Sequence, residues 1–164
     1  GFDMKVSNIL DLQKNLLITL PPNSLLSDAV ILMAKKDIGS VVIVEKENVL
    51  VGMLTFREVL RVLAKRQIEN RSGATPTMSE IKVNEVMNSQ PTVTDKDMQI
   101  DALRRLMNEC GERYLPCVEG NKVLGVVSFH DVARAMLRAS DFENKMLKAY
   151  IQDWPEDAPS EDKK

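Results

Sequence analysis

The chain has 164 residues, enough for one ordinary domain or two small ones, and its 44% apolar and 28% charged residues are typical of a globular protein. The 22 Lys and Arg nearly balance the 24 Asp and Glu, without a long basic block, which argues against nucleic acid or an anionic membrane surface as a partner. The longest apolar runs fall far short of the roughly 20 residues of a membrane helix, and no signal-peptide pattern opens the chain. We expect a soluble, cytoplasmic protein with no membrane contact.

The cysteines are Cys110 and Cys117, and His130 is the single histidine. This set is too small for a zinc site or a disulfide framework, so no metal site is predicted. Both cysteines have apolar neighbours, which favours buried structural thiols.

The first half of the chain predicts the order strand, helix, strand, strand, helix after a short helical lead-in at 5–10. Pro21-Pro22 ends the first strand, and Asn23 or Ser24 is the predicted N-cap of the first helix. The apolar positions of that helix extend beyond one face, which indicates burial against a second subunit. The predicted elements are 16–20, 24–36, 40–44, 49–54 and 56–67.

The second half repeats this order, with a strand at 92–94, a helix at 98–110, strands at 114–118 and 122–127, and a helix at 129–139. We expect a first repeat with its lead-in at 1–70, a linker at 71–80, a second repeat at 81–140, a helical extension at 141–154 and a disordered tail at 155–164. The extension should pack on the pair or across a dimer.

An offset of 73 residues aligns Thr19 with Thr92, Asp28 with Asp101, Gly52 with Gly125 and Thr55 with Ser128, while 41–44 aligns with 115–118 at 74. The change from 73 to 74 means that the second copy has one extra residue, which we expect near the end of its first helix. The offset returns to 73 because the second copy's hairpin, Gly120-Asn121, is one residue shorter, and both of its positions tolerate positive φ. Two βαββα copies predict an α/β (α+β) fold, packed about a pseudo-twofold axis.

The doubled stretch is GMLTFRE at 52–58 and GVVSFHD at 125–131. Each copy is a strand that ends in a hydroxyl residue, Thr55 or Ser128, with a carboxylate, Glu58 or Asp131, in the first turn of the next helix. The free N–H groups at such a corner suit a phosphate and a sugar. The alternative is a capping box that uses the same groups internally.

With the repeat established, residues 5–139 resemble a tandem pair of CBS domains (cystathionine-β-synthase-type), often called a Bateman module. The resemblance rests on the doubled corner, on a VxxVM lead-in at 83–87, on the Asp-Ala helix starts and on the segment Arg113-Tyr114-Leu115-Pro116. It implies clefts that bind adenosine-containing molecules such as AMP, ADP or ATP, and pairs that associate into homodimers.

Carried over to this chain, the resemblance implies Asp131 for the ribose, and Ser128 and Arg113 for phosphate. Tyr114 and Thr92 are further nucleotide-binding candidates. His130 has two interpretations: a phosphate contact, or an exposed residue in the first helical turn.

The first copy departs from the family pattern. Glu58 replaces the aspartate, which spoils a two-hydroxyl grip on ribose, and Gly39 stands where the second copy has Arg113. Thr55 and Arg57 remain candidates for phosphate. The second site is therefore ranked as the better nucleotide site, and Thr55 with Glu58 fits a capping box better.

The leading hypothesis is a regulatory module that binds an adenine nucleotide as its ligand, needs no cofactor and signals to a separate, unknown protein target. The alternative is an interaction or dimerisation module with vestigial clefts. An enzyme is not expected, because Ser128, His130 and Asp131 are too close in sequence to form a catalytic triad, and the common nucleotide and metal motifs are absent.

Overall fold

A computed structural model describes residues 4–13, 17–69 and 78–152. The predicted tail and most of the predicted linker lie outside these residues. The helices and strands, in chain order, are α1 (Val6–Leu12), β1 (Thr19–Leu20), α2 (Leu26–Lys36), β2 (Ser40–Glu45), β3 (Val49–Thr55), α3 (Phe56–Glu69), α4 (Ile100–Cys110), β4 (Tyr114–Glu119), β5 (Lys122–Ser128) and α5 (Phe129–Gln152).

The strands form one mixed sheet in the order β1-β2-β3-β5-β4. β2 with β3 and β4 with β5 are antiparallel hairpins, and β1 runs parallel to β2. The two hairpins meet through the pair Val49–Lys122. This doubled arrangement confirms the predicted α/β fold.

The strand predicted at 92–94 is reduced to one parallel bridge between Thr94 and Cys117. In the first copy, Val42 N donates to Ile18 O (3.2 Å), but the matching position of the second copy is Pro116, which has no N–H. Pairing begins instead when Thr94 N donates to Pro116 O (3.0 Å). The missing donor therefore shortens the strand.

The two hairpin loops differ by one residue, as predicted. The first spans Lys46–Asn48, with Glu47 and Asn48 at φ 62° and 60°, and the second is the two-residue turn Gly120-Asn121. Only Gly120 of that pair takes a positive φ, of 63°.

The predicted place of the extra residue is wrong. α2 and α4 both have 11 residues, and their buried positions (Leu26, Ala29, Met33 and Ile100, Leu103, Met107) align at an offset of 74. Asp28-Ala29 therefore does not match Asp101-Ala102 in space. The register of each helix follows its buried side chains, whereas both aspartates are exposed and tolerate a shift by one position.

The predicted N-cap of α2 is also wrong. Leu25 holds that position and makes no side-chain cap. Instead, Leu26 N donates to Ile81 O (2.8 Å) and Val83 N donates to Ser24 O (2.8 Å), so a backbone segment from the second copy satisfies the start of α2.

The lead-in segments are exchanged between the copies. Ile100 N, at the start of α4, donates to Met4 O (2.9 Å), and Val6 N donates to Met98 O (2.9 Å), which mirrors the contacts of α2. Val6 and Ile9 of α1 lie in the core of the second copy, and Val83 lies in the core of the first. Each core is thus completed by the other copy's lead-in.

The helical extension is the continuation of α5 to Gln152. Met146 and Leu147 are 59% and 57% exposed, so this stretch does not pack on the pair through them. The other predicted role, packing across a dimer, stays a prediction.

Candidate functional site

The first corner is closed by its own side chains. Glu58 Oε1 accepts hydrogen bonds from Thr55 N (2.8 Å) and Thr55 Oγ1 (2.7 Å), and Arg57 N donates to Thr55 Oγ1 (3.2 Å). Glu58 is only 6% exposed. The capping box predicted for this corner is confirmed, and its carboxylate is already bonded within the cap.

The second corner forms the full reciprocal box with a shorter acid, whereas the hydroxyl of the first corner accepts from the second residue of its helix rather than from the third. Ser128 N donates to Asp131 Oδ2 (2.9 Å), and Asp131 N donates to Ser128 Oγ (3.0 Å). A third partner comes from the end of α1, where Gln13 Nε2 donates to Asp131 Oδ2 (3.0 Å). His130 is exposed and lies 2.9 Å from Arg134, so it pairs with that arginine rather than with Ser128.

A cleft of about 270 Å³ opens at the first corner, between the two copies. Thr55, Arg57 and Glu58 line one side, and residues of the second copy line the other. Its apolar wall consists of Met53, Phe56, Leu60, Pro91 and Tyr114. The cleft therefore combines an apolar surface with the N-terminus of α3.

Two arginines, Arg57 and Arg113, and two glutamates, Glu58 and Glu112, line this cleft, so its formal charges balance. Arg57 Nη2 donates to Gly111 O (2.8 Å) across the two copies, and its other guanidinium N–H groups make no hydrogen bond with the part of the chain that the structure describes. Arg113 is exposed and has no side-chain hydrogen bond or ion pair with the described residues. Neighbouring Glu112 fixes the segment 88–92, because its carboxylate accepts hydrogen bonds from Asn88 Nδ2 (3.0 Å) and Thr92 N (3.1 Å).

Two predicted site residues meet across the copies. A Cβ on Gly39 would overlap the Tyr114 hydroxyl, so the tyrosine of the second copy fits the space that glycine leaves in the first. Gly39 thus explains how Tyr114 is seated at the cleft.

Other predicted residues are dispersed. Arg113, the predicted phosphate partner of the second corner, lines the cleft of the first, while its carbonyl accepts from Phe129 N (2.8 Å) beside Ser128. Thr92 does not line that cleft. Asp131 lines a separate groove of about 240 Å³ between α1 and α5, together with Gln13, Arg134 and Arg138.

The sequence patterns missed Gln13, Asn88 and Glu112. None of them belongs to the corner motif, and their contacts join segments far apart in sequence. The one available signal was the lead-in repeat, since Gln13 and Gln90 each follow a lead-in valine, Val6 or Val83, by the same spacing.

Cys117 is fully buried, and burial raises the pKa of its thiol from 9.0 to about 11. A thiol that stays protonated at neutral pH is a poor nucleophile. Cys110 is only partly buried at the edge of the same core, so the prediction of a buried thiol is confirmed for Cys117 and holds in part for Cys110.

Among the described helices, none is both long and apolar enough to cross a bilayer.

The family model for the CBS domain matches the chain twice, over residues 9–65 and 83–138. A CBS domain-containing protein, YhcV of Bacillus subtilis, is 32% identical over 129 residues, which are 78% of this chain and 84% of the relative.

Solved structures show the same fold. CBSX2, determined in complex with AMP, superposes with a TM-score of 0.67 at 21% identity, covering 85% of this chain and 99% of that one. The CBS domain pair of protein MJ0100, determined with 5′-methylthioadenosine and S-adenosyl-L-methionine, gives 0.69 at 21% identity, covering 82% and 97%. With two family matches on two structural repeats, this chain belongs to the CBS-domain family and is a tandem CBS pair.

Proposed function

We propose that this chain is a regulatory module that binds an adenosine-containing nucleotide between its two CBS repeats and passes the signal to a separate protein. The observation that carries the proposal is the inter-repeat cleft at the first corner, where an apolar wall, a helix N-terminus and two arginines converge. Related CBS pairs determined with AMP or with S-adenosyl-L-methionine support the ligand class.

The cleft divides into parts that suit the parts of a nucleotide. Phe56, Leu60 and Pro91 offer an apolar surface for the base. Arg57 and Arg113 offer guanidinium groups for phosphate, and the N-terminus of α3 favours an anion beside them.

The ribose is the part that this cleft serves least. Glu58 is buried and already accepts two hydrogen bonds, so it offers little to ribose hydroxyls. The shorter, half-buried Asp131, with Ser128 beside it, is the better ribose candidate, but it lines the separate groove of the second corner and would serve a second ligand there.

A thermal-shift and calorimetric panel with AMP, ADP, ATP and S-adenosyl-L-methionine tests the proposal. A ligand that binds the native state at 100 times its Kd adds about 2.7 kcal/mol of stability. We expect one ligand to stabilise the wild type, and Arg113→Ala to weaken its binding about tenfold or more, because a charged phosphate contact is lost. Exposed Arg105, paired with Asp101 on α4, provides the control Arg105→Ala, which should bind normally.

The outcome that contradicts the proposal is a folded wild type that none of these ligands stabilises.

A second candidate, assembly through the helices, is favoured by a different observation. Phe56 and Leu63 of α3 are 59% and 47% exposed, and their counterparts Phe129 and Met136 of α5 are 39% and 41% exposed. Matching apolar residues therefore stand exposed at corresponding positions of the two helices, which favours contact with a second copy of the chain. Light scattering should show a dimer that Leu63→Glu converts to a monomer; a wild-type monomer at high concentration contradicts this candidate.

A further inference from the structure

The second corner contains a contact that the first lacks. Gln13 ends α1, and both hydrogens of its side-chain amide are used: Nε2 donates to Asp131 Oδ2 (3.0 Å) and to Val126 O (3.0 Å). The amide therefore bridges the strand and the helix of the corner.

This contact fills the acceptor capacity of one carboxylate oxygen. Asp131 Oδ2 already accepts from Ser128 N (2.9 Å), so the amide of Gln13 takes its second lone pair. A ribose grip that uses one carboxylate oxygen for each of two hydroxyls needs an open acceptor position on Oδ2. A ligand that engages Asp131 with both oxygens must therefore displace Gln13.

The first corner shows why the contact is specific to one site. Gln90 follows Val83 by the same spacing as Gln13 follows Val6. The second lead-in, however, forms only the 3₁₀ turn Val83–Glu85, whereas α1 continues to Leu12. Gln90 is exposed, and only the longer helix brings its glutamine to a corner.

The helix that carries Gln13 belongs to the exchanged lead-in. Leu10 of α1 lies against Gly125 of β5, where a Cβ would come within 2.6 Å of Leu10 Cδ2. Displacement of Gln13 therefore acts on the C-terminal end of a helix that packs in the second copy's core.

On the basis of the proposed function, we propose that Gln13 is an intramolecular competitor for the second corner, holding the carboxylate position that ligand hydroxyls take. Binding at Asp131 then releases the end of α1, so the occupancy of this corner is linked to the position of the lead-in. The second corner favours ligands that carry hydroxyl donors, because Oδ2 needs a donor once the amide has left.

The test is calorimetric titration with AMP of the full chain carrying Gln13→Met or Gln13→Ala. Methionine keeps the length of the side chain without the donor, which protects the packing of α1, and Gln90→Ala is the matched control. We expect both Gln13 variants to bind AMP about tenfold more tightly at a site that Asp131→Asn abolishes, since bonds to charged groups carry about this weight. The control should bind AMP with the affinity of the wild type. The Gln13 substitutions should raise the affinity for 2′-deoxy-AMP less than the affinity for AMP.

Two results overturn the competitor role. If the wild type binds AMP and the Gln13 variants bind it equally well, Gln13 does not compete, and the proposed function is unaffected. If neither the wild type nor any Gln13 variant binds AMP or the other adenosine ligands, the proposed function is wrong and the competitor role falls with it.

Discussion

Gly52→Ala probes the exchange of lead-ins at its tightest point. A Cβ at Gly52 would lie 2.5 Å from Met87 Sδ and 2.9 Å from the backbone oxygen of Asn88. That oxygen accepts from Met53 N (2.9 Å), and Asn88 N donates to Met53 O (2.8 Å), so the backbone cannot move away without losing both hydrogen bonds. Overpacking of this kind costs about 1–3 kcal/mol, against a gain of about 0.4–1 kcal/mol from the stiffer unfolded chain. We expect Gly52→Ala to lower the free energy of unfolding by about 1–2 kcal/mol.

The pseudo-symmetric Gly125→Ala is the matched control. Its Cβ would meet only the flexible tip of Leu10, at 2.6 Å, with the next atom at 3.6 Å. This variant should lose less than about 1 kcal/mol. Urea unfolding followed by circular dichroism measures both values. Equal losses of unfolding free energy in the two variants, or a Gly52→Ala variant as stable as the wild type, would refute the proposed backbone contact.

Three further predictions follow from the cores and the corners. Val6→Ala should speed amide hydrogen exchange in α4, and Val83→Ala should speed it in α2, because each valine is fully buried in the other copy's core. Faster hydrogen exchange confined to each valine's own copy would contradict the swapped positions of the lead-ins. Glu58→Ala should cost about 1–2 kcal/mol in urea unfolding, and Glu58→Gln less, because glutamine still offers an acceptor to Thr55; an unchanged Glu58→Ala would contradict the cap. Burial raises the pKa of Cys117 from 9.0 to about 11, so the contribution of the protonated thiol to the free energy of unfolding is complete below pH 9 and is lost as the pH rises to 11, by up to about 3 kcal/mol. In Cys117→Ala the free energy of unfolding should fall less over this pH range, and parallel declines in the wild type and the variant would contradict the prediction.

The doubled strand-to-helix corner made most of the fold readable from sequence. Its spacing placed Thr55 and Ser128 at strand ends, and the hydrophobic periodicity placed the helices that follow. The local capping chemistry at Glu58 was readable for the same reason, since all its partners lie within three residues.

The exchange of lead-ins could not be read from the sequence. Val6 and Val83 have the same local pattern whichever core they enter, and only the three-dimensional path of the chain decides between the cores. The register of α4 was missed because exposed Asp101 resembles exposed Asp28, whereas the buried side chains determine the alignment.

The site was partly hidden for a related reason. The corner motif identifies Asp131 but not Gln13, whose contact joins residues 118 positions apart. Arg113 lies beside Ser128 in the backbone yet lines the cleft of the other corner, because that cleft forms only when the two copies pack together.

The most direct measurement is a titration of the ¹⁵N-labelled protein with AMP, followed by two-dimensional NMR. The account predicts saturable shifts concentrated at the amides of Thr55, Arg57, Arg113 and Tyr114, on both sides of the inter-repeat cleft, with equal saturation at all four. Saturable shifts that avoid these residues, or no shifts at millimolar AMP in a folded protein, would contradict nucleotide binding in this cleft.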